Sequence, residues 1–297
     1  MVGNVGKTKL YSVLSAGVLC VSTGSIFARI ADASPLVISA YRVGLAGVLL
    51  LPFAVALSKD ELKKLHFKDW LLGSIAGFFL ALHFYTWISS LELTTVAASV
   101  VLVTTNTVWV GILSWIMGER TNYLTVAGIG LSFCGAVIIG WGDFLSGSHS
   151  ILGDILALAG ALCMTSYIML GRTLRRKVSL LPYVTICYCS AGLFLWIAVF
   201  FTESEFTGFS ASTWTVFPAM AIVPQILGHS SCNWALRYAT APMVAVSLLG
   251  EPVLSSVLAW VILDEYITLP TFAGAAVIML GIFLASRGEE RVRRENI

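Results

Sequence analysis

Apolar runs of about 20 residues recur from one end of the chain to the other, separated by short polar connections. They cover residues 10–28, 35–57, 70–90, 93–117, 123–141, 151–171, 180–201, 214–236, 242–263 and 269–286. Each approximates the ~20 residues that cross a ~30 Å hydrocarbon core as an α-helix. Apolar residues fall on all faces, as in helices that touch lipid or one another. No connection is long enough for a soluble domain. The pattern predicts an all-α integral membrane protein with ten transmembrane helices. Lys7 and Lys9 precede the first run, and Ala31-Asp32-Ala33 has the form of a cleavage motif. A secretory signal has an apolar core of only about 7–15 residues, so the first run reads as a retained helix.

Composition agrees. Of 297 residues, 58% are hydrophobic and 11% charged; soluble domains average about 45–50% and about 25%. A disordered chain, a nucleic-acid binder and an ordinary soluble enzyme are excluded. The net charge of +2 matters less than its distribution. If the N-terminus is inside, 16 of the 18 Lys and Arg residues fall in inside segments, leaving Arg29 in an outside loop and Arg42 within a span. This bias predicts both termini in the cytoplasm and, in a bacterial cell, a multi-pass inner-membrane protein. The six cysteines all lie inside spans without CxxC spacing and read as small packing residues.

The chain also matches itself at an offset of 146 residues. His83 falls on His229, Glu119 on Glu265, Thr125 on Thr271, Gly128 on Gly274 and Gly135 on Gly281. Residues 1–146 and 147–297 then form two five-helix repeats. Five is odd, so the second repeat inserts upside down relative to the first. Inverted repeats of this kind characterise transporters that alternate between two openings.

With Arg42 following Ser34-Pro35, Gly118-Glu119-Arg120 closing the fourth span, Gly250-Glu251-Pro252 in the ninth and Asp264-Glu265 at its end, nearly the entire chain resembles the EamA-type members of the drug/metabolite transporter superfamily. One departure is that Pro252 is matched in the first half by Asn106 rather than proline. The resemblance implies export or exchange of small metabolites, amino acids being the best-known class. Drugs, organic cations or nucleosides are the alternative cargo.

Charges in a membrane span are costly and usually pair or face water. Arg42 and Glu251 are the two that lie well inside spans, and they read either as an ion pair or as a substrate or proton site, with Pro252 a neighbouring hinge. Gln225, His229 and Asn233 are four apart and predict one polar stripe on the eighth helix. With His83 and Trp87 on the third helix and Asn106 and Trp109 on the fourth, they predict a substrate cavity near the midplane. No HExxH, GxSxG or Walker A motif is present, so neither catalysis, a metal nor a cofactor is expected. A metal held by His83, His229 and Glu251 in an intramembrane hydrolase, and a scaffold without transport, are the competing readings. The expected partners are a small-molecule substrate and the lipid bilayer, with the chain a monomer or homodimer.

Overall fold

The computed structural model describes residues 5–94, 96–118, 122–145, 150–264, 267 and 269–295. Glu119, Arg120 and Glu265, named above, lie outside the described residues. Every element among the described residues is helical. The helices are α1 (Lys7–Ile30), α2 (Pro35–Leu57), the short α3 (Lys59–Lys64), α4 (Phe67–Leu93), α5 (Val96–Val103), α6 (Asn106–Ile116) and α7 (Tyr123–Leu145). They continue with α8 (Ile151–Arg175), α9 (Leu180–Phe201), α10 (Ala211–Met220), a π-helical stretch (Ala221–His229), α11 (Ser230–Ala235), α12 (Ala241–Leu248), α13 (Gly250–Leu263) and α14 (Leu269–Glu295).

Eight helices among the described residues are long and apolar enough to cross a bilayer, with 99–116 and 241–263 each counted as one. The expected crossing at 123–141 appears there as a shorter apolar helix, Tyr123–Ile138, and that at 214–236 is divided among three segments. This is a multi-pass membrane protein.

Three expected runs prove discontinuous, each for a local reason. The run 93–117 begins later, because Leu93 ends α4 and Thr94 is fully extended. It then breaks at Thr104-Thr105, whose hydroxyls donate to the Val101 and Leu102 carbonyls three residues back, which bends a helix. The run 242–263 breaks at Leu249. Pro252 has no N–H for the Leu248 carbonyl four residues earlier, so the ladder is interrupted there. The two breaks lie 145 positions apart. The eighth run widens to π geometry around Pro224, which likewise lacks a donor.

Close packing relies on glycine. A Cβ on Gly128 would sit 2.5 Å from the Gly281 carbonyl oxygen, and one on Gly135 would sit 2.6 Å from that of Gly274. These two contacts map onto each other at the 146-residue offset. Between them, Ser132 Oγ donates to the Ile278 carbonyl at 3.2 Å, across a separation of 146. Helices α7 and α14 therefore meet backbone to backbone. Gly44 against Gly192 joins α2 to α9 in the same manner, and Gly17 against Gly228 joins α1 to the π stretch.

Hydrogen bonds and ion pairs sort the connections into two ends. Lys7–Glu290, Glu289–Thr240, Arg172–Leu236, Lys177–Asp69 and Ser179–Glu61 tie the basic segments into one end. Arg29–Thr94, Asp32–Thr213 and Tyr41–Phe206 tie the opposite end.

Candidate functional site

The breaks at Thr104-Thr105 and at Leu249 face a common cavity lined by Val21, Arg42, His83, Phe84, Trp87, Val103, Thr104, Asn106, Met164, His229, Leu248 and Glu251. Its free volume is about 20 Å³, room for roughly one water. A metabolite fits only if the walls part.

Arg42 is fully buried on α2. Its Nε donates to Gln225 Oε1 at 3.1 Å, and its guanidinium carbon lies 3.9 Å from the Phe84 ring centre and 5.7 Å from that of Trp87. Cation–π attraction and one hydrogen bond hold it, yet Nη1 has no partner among the described residues. Gly24 makes room for that nitrogen: a Cβ there would lie 3.1 Å from Nη1. Glu251 lines the same cavity from α13, one residue before the buried Pro252. No ion pair joins Glu251 to Arg42 in this conformation, so of the two alternatives the direct bridge is the one not seen here. A guanidinium and a carboxyl group thus flank one space without bonding to each other.

The remaining candidates divide. His83 Nδ1 is held by the Gly160 carbonyl at 2.9 Å, which places the ring parallel to Trp87 with centres 6.1 Å apart. His229 packs edge-on against Phe84, and its Nδ1 has no partner among the described residues. Trp87 Nε1 and Gln225 Nε2 are likewise buried without partners among them. Asn106 lines the cavity while Oδ1 accepts from Thr107 Oγ1. Most buried polar atoms are hydrogen-bonded, and these four nitrogens, gathered in and beside the cavity, are exceptions among the described residues.

Three expected lining residues lie elsewhere: Gln225, which reaches the cavity only through its bond to Arg42, Trp109 and Asn233. Trp109 is 44% exposed; the buried stripe of α6 is Asn106, Thr107, Val110 and Ser114, and Trp109 falls off its edge. Asn233 is buried outside the cavity, donating to Tyr167 Oη at 2.5 Å and Tyr188 Oη at 3.4 Å. The π stretch changes the turn width between Gln225 and Asn233, so spacing by four no longer puts all three residues in one row. Phe84, Met164, Tyr167 and Tyr188 were not anticipated. The hydroxyl-bearing pair sits in otherwise apolar spans, a detectable signal, whereas Phe84 and Met164 look like any core residue.

From Gln225 a run of hydrogen bonds leads to the basic end. Tyr188 Oη donates to the Gln225 carbonyl, Asn233 bonds Tyr188, the Asn233 carbonyl accepts from Arg175 Nε, and Arg175 Nη1 donates to the Val178 carbonyl. His83, His229 and Glu251 share the cavity, but among the described residues no group of three or more His, Cys, Asp or Glu side chains is placed to hold a metal ion.

A family model described as the EamA-like transporter family matches residues 8–141 and again 151–287. An uncharacterized transporter of Archaeoglobus fulgidus is 26% identical over 289 residues, covering 94% of this chain and 98% of its own. The uncharacterized transporter YvbV of Bacillus subtilis is 26% identical over 268 residues, covering 87% and 85%. A solved structure titled only as a crystal structure of a protein shares the fold, with a TM-score of 0.78 at 18% identity over 97% of this chain and 99% of that one.

Proposed function

We propose that this chain, which belongs to the EamA-like transporter family, is a secondary transporter that exports or exchanges small metabolites by alternating access through the central cavity. The observation that carries this is the buried pair of unbridged charges, Arg42 and Glu251, beside two helix breaks. Discontinuous helices supply freed backbone groups at the midplane of many transporters. Uncompensated charges there are too costly to serve as filler. A ligand bearing a carboxylate and an ammonium matches them: the carboxylate meets the guanidinium, the ammonium meets Glu251, and Trp87 and Phe84 supply apolar walls. Amino acids have this form, and they are our first substrate class. Organic cations, which use Glu251 and the aromatic walls alone, and nucleosides, which use the neutral polar groups, are second.

Ten crossings, both termini cytoplasmic and two inverted repeats, residues 1–146 and 147–297, complete the proposal. Support comes from the mapped contacts of α7 with α14, from the breaks 145 positions apart and from the separate family matches to each half. Halves of similar shape and opposite orientation interconvert between two openings of similar energy. The small cavity volume fits an occluded form between them.

The test is counterflow in proteoliposomes with labelled amino acids, nucleosides and organic cations, preceded by a thermal-shift screen of the same compounds, since a bound ligand stabilises by mass action. Counterflow of at least one amino acid, lost in Arg42→Met, is the expected result. Flux of cations alone, undiminished in Arg42→Met, overturns the substrate assignment. No flux of any compound overturns the transport reading.

A further inference from the structure

At the basic end two carboxylates bind helix N-termini in the same manner. Glu61 of α3 accepts from both Ser179 N, at 2.7 Å, and Ser179 Oγ, at 2.5 Å. Ser179 is the N-cap of α9. Glu289 of α14 accepts from Thr240 N, at 3.1 Å, and Thr240 Oγ1, at 2.6 Å, and Thr240 is the N-cap of α12. Each acid satisfies a backbone donor that the helix cannot, and each sits at the positive end of a helix dipole. Charge-assisted bonds of this kind are about twice as strong as neutral ones. They fasten the connection before the seventh helical run and the connection after the eighth, and the Lys177–Asp69 pair reinforces the first.

The repeat mates of these N-caps stand at the other end. Ser34, the N-cap of α2, lies 145 positions before Ser179; Thr94, just before α5, lies 146 before Thr240. Among the described residues, neither is held by a carboxylate. Ser34 is exposed without a side-chain cap, and Thr94 Oγ1 is buried without a partner. Glu61 has a counterpart at the slightly shorter offset of 144: Glu61 precedes Trp70 by nine residues and Glu205 precedes Trp214 by nine. Glu205 is exposed and unengaged among the described residues. One end is therefore latched, while the corresponding serine and glutamate at the other end are both present and apart.

We infer that transport exchanges one latch for the other: Glu61 on Ser179 closes the basic end in the conformation seen here, and Glu205 on Ser34 closes the opposite end when the basic end opens. The inference rests on the inverted-repeat reading above, but its test needs no substrate. The hydrogen-bond run from Gln225 through Tyr188, Asn233 and Arg175 to the Val178 carbonyl joins the cavity to the Glu61 latch.

Amide hydrogen exchange of the intact protein in lipid nanodiscs distinguishes this device from local reinforcement. Glu61→Gln removes the charge and keeps the shape. It is expected to speed exchange in residues 176–183 by about tenfold, the effect of one lost charge-assisted bond, and to slow exchange in residues 31–38 and 203–210. Glu205→Gln is expected to slow exchange in 176–183. The double variant Glu61→Gln/Glu205→Gln returns both ends to within about twofold of wild type, since the two losses offset in the equilibrium. Acceleration at 176–183 with no slowing at 31–38, or a double variant whose basic end is as loose as that of Glu61→Gln, overturns the exchange of latches. Ser179→Ala and Ser34→Ala, milder changes at the same contacts, must reproduce the two directions if either glutamine variant fails to fold. Because exchange is read without ligand, a failure of the flux assay leaves this result standing, and the converse holds.

Discussion

At Arg42, a guanidinium with five donors is buried with only its Nε hydrogen-bonded to a described residue. Most of its donor capacity is therefore unused in this conformation, which is what the proposed substrate role requires and a structural bridge would not show. Arg42→Lys keeps the charge but loses the Gln225 bond and the flat face stacked on Phe84. The expected outcome is a loss of about 1 kcal/mol in stability, the worth of one hydrogen bond, against a fall in flux of about tenfold or more. Thermal unfolding in detergent and counterflow measured side by side check the split; equal losses would reduce Arg42 to a structural role. Glu251→Gln keeps size and removes the charge. Flux driven by a pH gradient should become independent of that gradient if Glu251 carries the coupling proton, and unchanged rates with unchanged gradient dependence remove Glu251 from the mechanism. Both residues were legible in sequence because a charge inside an apolar run is visible. Trp109 misled because aromatic side chains occur on lipid-facing and cavity-facing sides alike, and Phe84 gave no sign of the cation it faces.

The helices themselves were readable and their interruptions only in part. Hydropathy reports what surrounds a segment, and a break surrounded by protein is as apolar as a continuous helix. Leu249 falls within a uniform run, where only the consequence of Pro252 for the Leu248 carbonyl gives the break away, whereas the polar stretch Thr104-Thr105-Asn106-Thr107 was a visible signal of the first. Glycine contacts, by contrast, follow from the repeat. Gly128→Ala places a methyl carbon 2.5 Å from the Gly281 carbonyl oxygen and 2.7 Å from Ala285 N, both backbone atoms that cannot swing aside. The α7–α14 pair must separate, at a cost of about 1–3 kcal/mol, typical of overpacking. Gly130→Ala, where a Cβ meets nothing within 4 Å, is the control and should be neutral or slightly stabilising through helix propensity. Reversible unfolding in mixed micelles, comparing the two variants on one helix, checks this; equal stabilities would mean that the close approach carries no weight.

For the whole molecule, contacts already gather the basic connections at one end, which charge alone had suggested. What they leave to experiment is which side of the membrane that end faces. The positive-inside bias predicts the cytoplasm. The six native cysteines lie within helices, and a membrane-impermeant maleimide needs a thiolate in water. Reporter thiols at the connections therefore stand above a low background. Ser210→Cys, in the connection before α10 at the end opposite the basic one, should react in intact cells. Arg176→Cys, between α8 and α9, should react only after the membrane is opened. One missed or extra crossing between these positions would give both the same accessibility, whereas inversion of the whole molecule would exchange them. Two reporters therefore separate an error in crossing number from an error in orientation. Agreement with the expected pattern also requires an odd number of crossings between 176 and 210, one being the count supplied by α9.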